Sequence, residues 1–184
     1  MDKKGVIVQK FLFSDERTQA YVILDGAAIP DLLDMIDEHK PFHVCLFRGV
    51  EDPQLAEAAP YLVRLEADSP FTGWLLAEGT GKHWGIFAIV PEETPFVDLR
   101  KHFRDMVRVS LPDGETVLFR YYDPRVCNLF LPTCDQKQLR EFFGPVNQYF
   151  IETNSEGEEA SEFIAYSLEM GALQQRSVSM GAKV

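Results

Sequence analysis

Few residues of this chain have the type and spacing to do chemistry. Asp25 closes the apolar run Tyr21–Leu24 and precedes Gly26, the position a nucleophilic aspartate takes at a strand end. That chemistry normally uses a second acid two residues on as general acid, and here the position is Ala27. An Asp-Gly turn at the end of a strand accounts for the same residues. Gly79-Thr80-Gly81-Lys82 resembles the end of a phosphate-binding loop. The complete loop needs glycine where Leu76 stands, Ser or Thr where His83 stands, and a helix after the glycines. Here a strand follows, so a helix C-cap and a turn are the better account. His39 and His43 straddle Pro41, share no helix face, and have no third ligand at a zinc spacing. Cys45, Cys127 and Cys134 are odd in number and lack a CxxC spacing, which reads as reduced thiols in a cytosolic protein. Neither a catalytic constellation nor a cofactor or metal site emerges.

Arg120 is different, because it sits inside the aromatic run Phe119–Tyr122, where a cation needs a partner or a stacking face. With Tyr121, Tyr122, Asp123 and Arg125 it makes a candidate polar, aromatic cluster at a sheet end. A binding role and an Arg–Asp pair that locks strand to helix both fit. His83, beside Trp84 at the start of an apolar strand, reads as a hydrogen-bonded histidine at the core edge.

The elements that must position these residues can be read in order. Leu118–Tyr122 reads as a short buried strand. Asp123-Pro124 is an N-cap followed by proline at the first helical position, with Val126, Leu129 and Phe130 on one face until Pro132. Thr133…Gln136 reads as a capping box for a second helix, with Leu139, Phe142 and Phe143 inside and Gly144-Pro145 as the stop. Upstream, Tyr21–Leu24 and Val44–Phe47 are strands flanking a helix with Ile29, Leu32, Leu33 and Ile36 inside, a βαβ unit with parallel strands. Asp52-Pro53, Ser69-Pro70 and Thr94-Pro95 cap three further helices, Tyr61–Leu65 is a strand, and Trp84–Val90 reads as a central one. Pro112-Asp113-Gly114-Glu115 is a hairpin turn between Val107–Leu111 and Thr116–Tyr122. Gln148–Ile151 reads as one more strand, Glu152–Glu162 as an acidic linker and Phe163–Gln175 as a weak helix. The fold class is therefore α/β, a mixed sheet with βαβ units and one antiparallel hairpin, covered by helices, with a short acidic C-terminal appendage. Residues 1–20 form an N-terminal extension or edge strand, 21–146 the α/β domain and 147–184 the appendage.

A length of 184 residues supports one ordinary core, and 46% hydrophobic with 26% charged residues is a globular balance. A net charge of −11 argues against nucleic acid and anionic membrane as partners, since both need a cationic face. Between Glu141 and Gln175 there is no Lys or Arg, which fits a solvated tail or an acidic surface for a basic partner. The start, with its apolar run broken by Gln9 and Lys10, is not a signal peptide, and no apolar run approaches the roughly 20 residues that span a bilayer.

YVILDGA (21–27), APYLVRLE (59–66), Gly81–Phe87, LFRYYDPRV (118–126), LPT (131–133) and FFGPV (142–146), in this order, resemble the adaptor-chaperone domain associated with bacterial type VI secretion. The resemblance runs from about Tyr21 to Val146. It implies a non-enzymatic cytoplasmic protein that binds a secreted effector and helps load it onto a VgrG spike, without cofactor. His83, Trp84, Arg120, Tyr122, Asp123, Pro124 and Arg125 match its signature segments, as fold or partner-surface residues. Members often carry a larger variable C-terminal lobe thought to choose the effector, and here only some forty residues follow Val146. Two alternatives are a small hydrolase using Asp25 and an acidic immunity or inhibitor protein. Oligomeric state is not legible.

Overall fold

The computed structural model describes residues 3–49, 52–111, 113–153 and 162–179. The first element is a helix, α1 (Lys3–Leu12), where the sequence suggests an extension or edge strand. Val8 and Leu12 lie one turn apart and are fully buried, so this segment contributes an amphipathic face. There follow β1 (Thr18–Asp25), α2 (Leu32–His39), β2 (His43–Cys45), α3 (Pro53–Glu57), β3 (Pro60–Leu65), α4 (Pro70–Glu78) and β4 (Gly85–Pro91). Next come α5 (Phe96–Met106), β5 (Arg108–Ser110), β6 (Thr116–Leu118), α6 (Pro124–Phe130), α7 (Gln136–Phe143), β7 (Gln148–Thr153), β8 (Glu162–Glu169) and β9 (Ala172–Ser179).

Seven strands form one sheet in the order β2-β3-β1-β4-β7-β8-β9, and β5-β6 is the separate hairpin. The α/β class, the helical cover and the hairpin stand. The parallel βαβ pairing does not, because every pairing among the described residues is antiparallel. β3 inserts between β1 and β2 and pairs antiparallel with both. The two strands flanking α2 therefore do run in the same direction. A helical crossover fixes that direction but leaves adjacency open.

The period of two along the strands sorts side chains into two cores. Val22 and Leu24 of β1 face Val8, Leu12, Leu32, Ile36, Phe71 and Leu75, from α1, α2 and α4. Tyr21 and Ile23 of the same strand face Leu99, Phe103, Cys127, Leu139, Phe142 and Phe143, from α5, α6 and α7. Helices thus cover both faces. β4, between β1 and β7, is buried on both, as its unbroken apolar run requires.

Several local expectations shift. The strand expected to run to Tyr122 ends at Leu118, which is exposed, and Tyr121 and Tyr122 turn into the core instead. Tyr121 can be buried there because its hydroxyl donates to the Phe103 carbonyl at 2.9 Å. On α6 it is Cys127 that is buried, while Leu129 is 76% exposed. The capping box is Asp135 with Gln138, because Leu131–Thr133 continues past α6 as a 3-10 turn and delays the next helix. Pro95, not Thr94, caps α5 and makes no side-chain cap bond. α2 starts at Leu32, so Ile29 is buried outside the helix.

The largest difference is at the C-terminal end. Phe163–Gln175 is not helical; it lies in the β8–β9 hairpin, which completes the sheet. Its two-residue turn, Met170-Gly171, has φ of 51° and 80°, the left-handed pair such hairpins demand. Glu152 belongs to β7 and is buried, while the acidic residues at 154–161 lie outside the described residues.

Candidate functional site

The signature residues meet at one end of the sheet, where β1 finishes and β4 begins. Antiparallel pairing carries Leu24 opposite Gly85, and the Asp25 N–H donates to the Trp84 carbonyl at 2.8 Å. Gly85 is required there, because a Cβ would stand 2.1 Å from the Ile23 carbonyl oxygen.

Asp25 is 1% exposed, and both carboxylate oxygens are engaged. Oδ1 accepts from the Ala27 N–H at 3.2 Å, capping a short 3-10 turn, and Oδ2 accepts from Arg120 Nη2. The pair is asymmetric, since the Arg120 side chain is 43% exposed while the aspartate is enclosed. The hydrogen bond to Asp25 raises the guanidinium pKa further. Tyr122 lies alongside, its phenol pushed up to about 12 by burial and then by the Asp25 charge.

Asp123 does not pair with Arg120. Its Oδ1 accepts the Arg125 backbone N–H at 2.9 Å as N-cap of α6, and the Arg125 guanidinium bonds both oxygens at 3.0 and 2.7 Å. Burial pulls this carboxyl upward, but the Arg125 bonds outweigh it and the pKa falls. Pro124 is buried at the first helical turn.

A second carboxylate organises the loop before β4. Glu152, 4% exposed on β7, accepts from the backbone N–H of Gly81 and, at 3.0 Å, from that of His83. His83 has φ of 54°, and its Nδ1 lies 3.4 Å from the same carboxylate. The glycine-bearing turn thus does gather an anion, but the anion is the protein's own side chain. Lys82 stands 4.9 Å over the Trp84 ring, which packs against Trp74 at 5.4 Å. Asn128 of α6 donates to the Glu152 carbonyl at 2.7 Å and accepts from the Tyr166 hydroxyl at 3.0 Å, tying α6 to β7 and β8.

The structure therefore brings His83 and Trp84 to the end of β1 and joins Arg120 to Asp25, while Asp123, Pro124 and Arg125 form the adjoining helix cap. Glu152 and Asn128 escape a sequence reading. Glu152 sits in an acid-rich stretch that looks solvated, and its one signal is that it directly follows the apolar run Tyr149–Ile151 of a strand buried on both faces.

An open groove of about 800 Å³ lies beside this end, lined by Gly26, Ala27, Asp31, Asp34, Asp37 and Glu57 among others. Asp25 does not line it. Among the described residues no three His, Cys, Asp or Glu side chains stand together as metal ligands. Burial pushes the Cys45, Cys127 and Cys134 thiols up, away from thiolate chemistry. No helix among the described residues is long and apolar enough to cross a membrane.

Residues 20–141 match the family described as domain of unknown function DUF4123. No curated protein and no solved structure matches the chain. The matched span is more than half of the chain, which belongs to this family.

Proposed function

We propose, with membership of the DUF4123 family as premise, that the chain is a non-enzymatic adaptor that holds a type VI secretion effector and delivers it to its VgrG spike in the bacterial cytoplasm. The mechanism is bivalent binding, which raises the effective concentration of effector at the spike without bond chemistry. One observation carries the proposal. The carboxylate best placed for catalysis, Asp25, is enclosed and spent on Arg120 and a backbone N–H, so the signature around it holds the fold together. A hydrolase needs that carboxylate free to meet substrate in a pocket. An inhibitor acting through Glu152 would have to withdraw it from the Gly81 and His83 amides.

The test is co-expression of the chain with a VgrG spike and an effector of the same genome, followed by purification through a tag on the chain. Both proteins should co-purify. If the chain emerges alone and hydrolyses phosphate esters in an Asp25-dependent way, the hydrolase replaces the adaptor.

A further inference from the structure

The outward face of α5 carries an ordered row of charges. Leu99 and Phe103 fix its inner face in the core. On the opposite side Asp98, Lys101 and Asp105 follow at i, i+3 and i+7, and Arg108 comes one residue after the helix C-cap. All four are exposed; the three on α5 span about 10 Å of helix axis at 1.5 Å per residue, and Arg108 opens β5 just beyond the helix end. Among the described residues Asp98, Lys101 and Arg108 have no ion-pair partner, and Asp105 has only the exposed Arg48 at 3.3 Å.

The row runs acid, base, acid, base, and such a row is its own complement when reversed. Set antiparallel about a twofold axis beside Phe103, Asp98 faces Arg108 of the partner subunit and Lys101 faces Asp105 of the partner subunit. The axis repeats both contacts, giving the self-complementary patch that a closed dimer requires. Exposed Val97 marks the acidic end of the stripe. At the basic end, beside Arg108, a groove of about 360 Å³ is lined by Phe47, Leu55, Val117 and Leu118, with Leu55 and Leu118 half exposed. The same antiparallel register carries Val97 toward the partner's groove, adding apolar contact on both sides of the charged centre.

We propose that the outer face of α5 is the interface of a twofold dimer, held by reciprocal Asp98–Arg108 and Lys101–Asp105 pairs between copies of this chain. This does not depend on the adaptor proposal.

Sedimentation of the intact chain over a concentration series tests it, with Asp98→Lys and with Asp98→Lys/Arg108→Glu. The unaltered chain should show a monomer–dimer equilibrium. Asp98→Lys places like charges at two points of the interface and should weaken the dimer by about tenfold or more. The double reversal restores opposite charges and should recover most of that loss. Both variants share the altered first helical turn, so the difference between them isolates the pairing. Lys101→Asp and Lys101→Asp/Asp105→Lys repeat the comparison away from the helix N-terminus, with circular dichroism checking the fold. A chain that is monomeric throughout, a dimer indifferent to Asp98→Lys, or a double variant no tighter than the single one would overturn the proposal.

Discussion

Asp25 and Arg120, 95 residues apart, form an ion pair in which the acid is enclosed and the base half exposed. It ties the end of β1 to the segment that enters α6, across the join between sheet and helical layer. Removing the arginine leaves a buried carboxylate with one backbone donor. Arg120→Ala should therefore cost about 2–4 kcal/mol, less than a fully enclosed pair because water reaches the guanidinium. Asp25→Asn/Arg120→Ala should recover part of that loss. Urea denaturation of Arg120→Ala, of Asp25→Asn and of the double variant measures the coupling.

Glu152 holds the loop before β4 through two backbone N–H groups. Glu152→Ala leaves both donors without it and should cost about 1–3 kcal/mol. Amide hydrogen exchange should accelerate first at Gly81 and His83. Unchanged protection at those two amides would show that the carboxylate does not pin the loop.

His102 of α5 bonds the Phe142 carbonyl at 3.0 Å, and burial holds its pKa below the ordinary value of about 6.5. The folded state thus takes up the proton later than the unfolded chain does. Stability from this residue is complete above about pH 6.5 and is lost as pH falls from there through the folded pKa. In His102→Gln that part of the pH slope should vanish, as thermal melts across pH 5 to 7.5, a range of about 2.5 units, would register.

How far the sequence reaches is clearest where two signals compete. Asp52-Pro53, Ser69-Pro70 and Asp123-Pro124 mark helix starts correctly, since a cap bond and a proline act within one turn. The buried face of α7 is equally plain from its spacing. Strand order is not, because β3 enters between β1 and β2 from later in the chain and local periodicity carries no trace of it. Phe163–Gln175 misleads because its apolar residues suit a weak helical face, while its turn, Met170-Gly171, lacks the usual Asn-Gly signal. Arg120 is legible as a cation in need of a partner. The partner is not, for Asp123 is nearer in sequence and is already held by Arg125.

The Met170-Gly171 turn gives a local check on that correction. Gly171→Ala forces an L residue to keep φ near 80° and should cost about 1 kcal/mol. Leu129→Ala on α6 removes an exposed side chain and should stay within about 0.5 kcal/mol, against the expectation that Leu129 is core. Chemical denaturation of both reports directly on which residues the core contains.

Truncation at Val146 is a poor probe of partner choice, because it removes β7–β9 with the buried Tyr149, Phe150 and Ile151. The most direct measurement keeps the chain whole and asks whether it bridges. A tagged VgrG spike is purified from cells making a type VI secretion effector of the same genome, with and without this chain. Recovery of effector with the spike only when the chain is present is the predicted result. Equal recovery of effector in both cases, or a chain that accompanies neither protein, would contradict the adaptor function.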